Sequence, residues 1–387
     1  MRTLRYDEFV AMRRFPALDG LRALAAVMVI AFHYGGPSWT WLTGWIGVHL
    51  FFVLSGFLIT TLLLREEHRY GKVSLRAFYL RRLFRIMPVY LLVLVLTWAL
   101  ARINGTAETV ERSLRYYLLF LNELLPPGAP FLHSWTIGIE QKFYLFWPAI
   151  AFVAVAAAFR RRLAVTVGLL ALFLALIPPD IAWLSWPVHY LAILLGCLTA
   201  VLMHHPRGFA LVRPLTHPVT ASAVIVAFVV LQVSVRFWPT RLGQEALIGC
   251  YAAAAAVLLP ALLSRSVLAR GLGLRPLVLV GERSYSMYLI QSIAARAAAG
   301  LAPAIAHRGT AFFLATTVVA LLAADLMYRW IELPLIEVGR RLAARVPRSR
   351  PGGGSALPRR GMTGVTPPVV TARPGRSVVT VSDLSGR

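Results

Sequence analysis

Residues 16–35 read PALDGLRALAAVMVIAFHYG, twenty positions of which only Asp19, Arg22 and His33 are acidic or basic side chains that carry charge near neutral pH. About 20 predominantly apolar residues is the length that carries a helix through a bilayer. The run follows Arg13 and Arg14 and so resembles a secretory leader. No small-x-small cleavage site comes after it, and Pro16 with Asp19 makes a helix start, so it is retained as a span. Nine more runs of this kind follow, near 45–64, 83–101, 136–158, 163–178, 181–203, 219–236, 244–264, 276–297 and 310–334. They predict an all-α fold: a polytopic membrane helical bundle of about ten transmembrane helices, with the integral membrane domain over 1–345.

Composition excludes an ordinary soluble enzyme. Apolar residues make up 58% of the 387 and charged ones 14%, and the mean hydropathy is +0.68. Lys and Arg total 40 against 16 Asp and Glu, a formal +24, but these charges fill gaps between the apolar runs. That is the pattern of a membrane surface and not of a nucleic-acid-binding face. Arginine collects at the N-terminus, in the 65–82 loop, at Arg160 to Arg162, at Arg207 with Arg213, at Arg265 with Arg270, and in the tail. These are alternate gaps, so both termini are expected in the cytosol, in a multi-pass protein of the cytoplasmic (inner) membrane. Segment 102–135 reads as a long outer loop with an interfacial or re-entrant element. Residues 346–387, rich in Pro, Gly, Ser and Arg, read as a disordered basic cytosolic tail, too short for a further extracytoplasmic domain. Cys197 and Cys250 sit in separate runs and supply neither a disulfide framework nor a metal site.

Ionisable groups inside spans are costly and mark sites or pathways. Arg22 and His33 are eleven residues apart, three turns plus about 20°, so they share a helix face about 16 Å apart along the axis. Taken singly, Arg22 also fits a snorkelling anchor, and His33 an interfacial or core histidine. Arg82 and Arg85 share a face and can fork onto a phosphate or carboxylate, or simply belong to the positive-inside cluster. Glu140 and Lys142 enter an aromatic run, two apart and so unable to pair with each other, with Glu140 at about the depth of His33. Arg329 and Glu332 are expected to pair, and Gly47, Ser55 and Gly56 to be packing residues. No nucleophile elbow, phosphate-binding Gly-rich loop or zinc spacing occurs.

These strings resemble the membrane acyltransferases of family 3, which transfer acyl groups, usually acetyl from acetyl-CoA, to hydroxyls of carbohydrates and related compounds. Residues 14–336 carry the likeness. Arg22 and His33 are similar to the family's Arg-x10-His signature, Arg82 to Arg85 to its Arg-x-x-Arg element, and Gly47 to Ile59 to its second-helix motif, with His49 where an acidic or amide residue is common. Trp135 to Pro148 resembles the Trp-Ser-Leu-x-Val-Glu-Glu-Gln string, keeping Glu140 but placing Gln141 and Lys142 where Glu and Gln stand. Gly281 to Gln291 resembles a further segment whose histidine is Gln291 here. The resemblance implies His33 as general base on the acceptor hydroxyl, Glu140 as the group that orients it, and Arg22, Arg82 and Arg85 as ligands of CoA phosphates. It implies acyl-CoA as co-substrate with no permanently bound cofactor or metal, and a hydroxyl-bearing carbohydrate, glycolipid or macrolide-type acceptor. A transporter of a small anionic or sugar compound, and a non-catalytic member of the same fold, are the competing readings.

Overall fold

The computed structural model describes residues 2–154, 158–177, 186–238, 243–303 and 308–347. The chain divides into Met1–Ser349 and Arg350–Arg387; apart from 346 and 347, the expected tail lies outside the described residues. Among the described residues sixteen α-helices run in order: α1 (Tyr6–Ala11), α2 (Pro16–Tyr34), α3 (Gly47–Tyr70), α4 (Leu75–Ile103), α5 (Ala107–Leu118), α6 (Trp135–Ala149), α7 (Phe159–Ala175), α8 (Trp186–Met203), α9 (Pro206–Val212), α10 (Pro218–Ser234), α11 (Gln244–Leu262), α12 (Val267–Leu272), α13 (Arg275–Glu282), α14 (Ser284–Leu301), α15 (Thr310–Met327) and α16 (Leu333–Ala344). No strand occurs among the described residues.

Among the described residues, seven stretches are long and apolar enough to cross a membrane: Pro16–Tyr34, Gly44–Tyr70, Leu75–Ile103, Trp186–Met203, Pro218–Phe237, Gln244–Leu262 and Thr310–Ala344. The expected ten is therefore not reached on length and composition. The three other runs do fall on helices, but α6 carries Glu140 and Lys142, α7 has 17 residues, and 276–297 is broken at Arg283 into α13 and α14. The 102–135 segment contains α5, whose Ala107, Val110, Ser113 and Tyr117 are buried while Glu108, Glu111, Arg112 and Arg115 are exposed. The helix is thus amphipathic, the pattern expected of an interfacial element.

The third helix is the hub of the bundle, and its closest partner is α8. A Cβ at Gly56 would overlap the Ile193 carbonyl, and one at Gly196 the Val53 carbonyl. The two helices therefore cross backbone to backbone on a small-residue interface. Gly281 does the same for α13, which lies against the backbone of Asp19 on α2.

Two π-turns redirect side chains. In Ile150–Ala154, the Ala151 carbonyl accepts from Arg162 Nε at 3.0 Å, and Arg162 Nη2 pairs with Glu67 at 2.9 Å. Arg162, expected in a cytosolic loop, is only 3% exposed. In Tyr328–Glu332 the extra residue of the wider turn shifts the register by about 100°. Arg329 then pairs with Asp325 at 2.8 Å, and Glu332 turns inward to accept from Ser286 at 3.0 Å, so the expected Arg329–Glu332 pair does not form.

The N-terminal α1 was not anticipated. Phe9 is fully buried against Phe15 and Phe209, and Tyr6 donates to the His204 carbonyl at 2.9 Å. The Arg5 backbone N–H, with Arg2 and Arg265 nearby, holds the Glu8 carboxyl below its usual range.

Candidate active site

A cavity of about 800 Å³ runs along one face of α3. Val48, Phe51, Ser55, Leu58, Leu62, Arg65 and Arg69 recur in its wall at helical spacing. From Val48 to Arg69 the axial rise is about 32 Å, close to the hydrocarbon thickness of a bilayer. Nine arginines line the cavity against four carboxylates, with most of the arginines towards its α3 C-terminal end. Thr136 and Tyr288 line it near the start of α3.

Four of the five expected site residues meet here. Arg22 comes from the second turn of α2, Arg82 and Arg85 from α4, and Glu140 from α6. None of the three arginines has an ion pair or hydrogen bond among the described residues; Arg82 lies over the Phe78 and Tyr144 rings, 5.8 and 5.2 Å from their centroids. Glu140 Oε1 accepts from Ser55 Oγ at 2.7 Å, and Ser55 Oγ in turn accepts from the Tyr144 hydroxyl at 2.9 Å. The charges of Arg22 and Arg82 act on Glu140. The site is thus a cationic cradle with one hydrogen-bonded carboxylate.

The fifth residue stands elsewhere. His33 is exposed on the last turn of α2, beside Phe32 and Tyr34, and is not in the cavity wall. It does share the Arg22 face, but Ala26, Val29 and Ile30, each at most 2% exposed, fill the helix between them. The expected His33–Glu140 contact is not made among the described residues; the carboxylate accepts from Ser55. His33 has electrostatic contact with Arg308 and with His133. The His133 carbonyl accepts from Tyr288 at 2.6 Å, and its Nε2 bonds the Leu289 carbonyl at 3.0 Å. Tyr288, in the cavity wall, is thus bonded to the backbone of a residue whose ring feels the charge of His33.

Several residues were misjudged or missed in the sequence. Ser55 was read as packing, yet Ser55, Leu62 and Arg69 fall seven apart on one face, and that periodicity was there to be seen. Tyr144 and Arg65 carried no signal beyond their type. Lys142 belongs to another structure: Nζ donates to the Phe120 carbonyl at 2.7 Å and to Glu123 Oε2 at 2.8 Å, bracing a turn in which Phe120 has φ of 55°. His49 Nδ1 bonds the Ile46 carbonyl at 3.2 Å, which makes Nε2 the acceptor for His189 Nδ1 at 3.1 Å. Gln291 is buried with neither amide atom bonded among the described residues.

A multi-pass helical membrane protein, its bundle enclosing an arginine-lined passage with a carboxylate in the wall, is the class that fold and site define. The chain belongs to the acyltransferase-domain family, whose model matches residues 15–329. It is similar to the O-acetyltransferase OatA of Staphylococcus aureus strains NCTC 8325 / PS 47 and COL, at 28% identity over 386 residues in each case, covering 89% of this chain and 61% of the relative. The chain thus spans about three-fifths of the length of these curated relatives. No solved structure matches it.

Proposed function

We propose that this protein is an integral O-acyltransferase of the cytoplasmic membrane, moving an acyl group, acetyl in the first instance, from acyl-CoA to a hydroxyl of a carbohydrate, glycolipid or macrolide-type acceptor. One observation carries the reading: Arg22, Arg82 and Arg85, uncompensated by any ion pair among the described residues, line a passage that also holds the Tyr144–Ser55–Glu140 chain. A guanidinium withdrawn from water without a counter-ion costs several kcal/mol. Phosphates of a bound donor supply that counter-charge.

The donor enters phosphates last, its phosphates at these arginines and its thioester pointing beyond Ser55 towards Thr136 and Tyr288 in the same wall. The acceptor oxygen attacks the thioester carbonyl, its proton passes to a base, and CoA leaves as the thiolate that then takes a proton. His33 is the base in this scheme, since imidazole accepts a proton near neutral pH. The scheme sets it past the Tyr288–His133 contact, which must open for the acceptor on the outer side to meet the acyl carbonyl on the inner side. Glu140 holds the Ser55 hydroxyl and its charge acts on Arg22 and Arg82; it bonds Ser55 and not His33 among the described residues. The topology that suits this scheme has ten crossings, with α6, α7 and the α13–α14 pair added to the seven long spans, and both termini cytosolic.

A passage as long as α3 also suits a transporter of an anionic compound. Release of free CoA thiol from acetyl-CoA by the purified protein, with candidate acceptors present, separates the two. His33→Ala is expected to abolish release while the protein still inserts and stays monodisperse. Full activity in that variant would remove His33 from catalysis, and acceptor-independent uptake into proteoliposomes without thiol release would favour the transporter.

A further inference from the structure

We infer that Phe51 and Tyr288 form the stop that limits the transferred acyl group to a short chain. The inference deepens the acyl-CoA reading above and rests on it. Among the described residues, α2 lines the passage no further than Arg22, and α4 no further than Ile86. Beyond the Ser55–Glu140 chain, towards the start of α3, the wall is left to α3, α6 and α14. Their last lining residues are Val48, Thr136 and Tyr288, and no charged side chain stands among them. This end section is about 10 Å deep from Ser55 to Val48 on α3, and about 6 Å from Glu140 to Thr136 on α6. The next residues of α14, Leu289, Ile290 and Gln291, are at most 4% exposed and take no part in the wall.

Hydrogen bonds hold that end closed. The Tyr288 hydroxyl accepts from Thr136 Oγ1 at 3.1 Å and donates to the His133 carbonyl at 2.6 Å, which ties its ring to α6 and to the turn before it. His133 Nε2 donates in turn to the Leu289 carbonyl at 3.0 Å, and the His133 ring meets the Tyr288 ring edge-on at 5.7 Å. Phe51 covers the α3 side, its centroid 6.4 Å from that of Tyr288. A donor whose phosphates lie at the arginines has this section alone for its thioester and acyl carbons. Acetyl ends one methyl beyond the carbonyl, whereas each further methylene enters the space of the two rings. Close-packed side chains give way only by shifting, and a shift of Tyr288 breaks its bonds to Thr136 and His133. A pocket that lacks room for one methylene discriminates by about tenfold or more.

Equilibrium binding to the full chain in phosphatidylcholine nanodiscs tests this, with CoA, acetyl-CoA, butyryl-CoA and hexanoyl-CoA as probes. The wild type is expected to bind hexanoyl-CoA at least tenfold more weakly than acetyl-CoA, with butyryl-CoA between them. Phe51→Ala and Tyr288→Ala each clear the end section, so the ratio of hexanoyl-CoA to acetyl-CoA affinity should rise about tenfold or more in either. Binding of CoA, which has no acyl group to meet the rings, reports that a variant is folded; where Tyr288→Ala does not bind it, Phe51→Ala decides. Arg82→Gln should weaken the whole series alike and leave the ratio where it was. A wild type that binds all chain lengths equally, or a ratio unmoved in the folded variants, overturns the stop while leaving the donor reading in place. Failure of the wild type to bind CoA or any acyl-CoA overturns the donor reading and the stop together.

Discussion

At the scale of single residues, what distinguishes a site from a brace is whether the charge finds a partner within the protein. Lys142 and Glu140 enter the same helix two positions apart and part company on that ground. Lys142 is committed to Glu123 and to the Phe120 carbonyl, and their side chains are about one-quarter and one-fifth exposed. Its replacement by Met leaves Glu123 unpaired and a strained turn unbraced, at a cost of about 2 kcal/mol. The expected outcome is a fall of a few degrees in the thermal midpoint in detergent, with CoA affinity unchanged; weakened CoA binding at unaltered stability would return Lys142 to the site. Glu140 faces Arg22 and Arg82 with a hydrogen bond from Ser55. Glu140→Gln keeps that bond's acceptor but removes the charge, so thiol release should drop at least tenfold with no comparable loss of stability.

At the scale of elements, local rules succeed where a helix is regular and fail where its register changes. The i,i+3 spacing of Arg329 and Glu332 pointed to a pair, and a π-turn moved Glu332 to Ser286 and left Arg329 to Asp325. Nothing in the residue types of Tyr328–Glu332 announces that turn. The glycine positions are more legible, because a small residue in an apolar span signals a backbone approach. Gly56 sits at the α3–α8 crossing, whereas nothing lies within 4 Å of a Cβ built at Gly168 on α7. Gly56→Ala is therefore expected to cost about 1–3 kcal/mol through overpacking and to lower the monodisperse yield, with Gly168→Ala as the silent control. Equal yields would mean that the crossing is looser than its geometry.

At the scale of the whole molecule, the parity of the crossings decides which side each end occupies. Seven spans would put the termini on opposite sides, and ten would put both in the cytosol. A reporter cysteine at Lys72, in the turn between α3 and α4, and another at Ser355, in a background without Cys197 and Cys250, reads this directly. Both should resist a membrane-impermeant thiol reagent in intact cells and label after permeabilisation; labelling of Ser355→Cys from outside would establish an odd count. Membrane residence, helical class and family membership were all legible in the chain, because a bilayer demands long apolar helices and leaves each buried charge conspicuous; the expected level of Glu140 beside His33 was not, since Glu140 lies with Arg22 and Arg82. The sequence also placed His33 on the Arg22 face, which is correct as periodicity. Only tertiary packing settled that Ala26, Val29 and Ile30 fill that face between them, that Ser55 and not His33 engages Glu140, and that Arg65 joins the wall. A helix period specifies direction about one axis, whereas contact depends on how neighbouring helices cross, and that is set by residues far away in the chain.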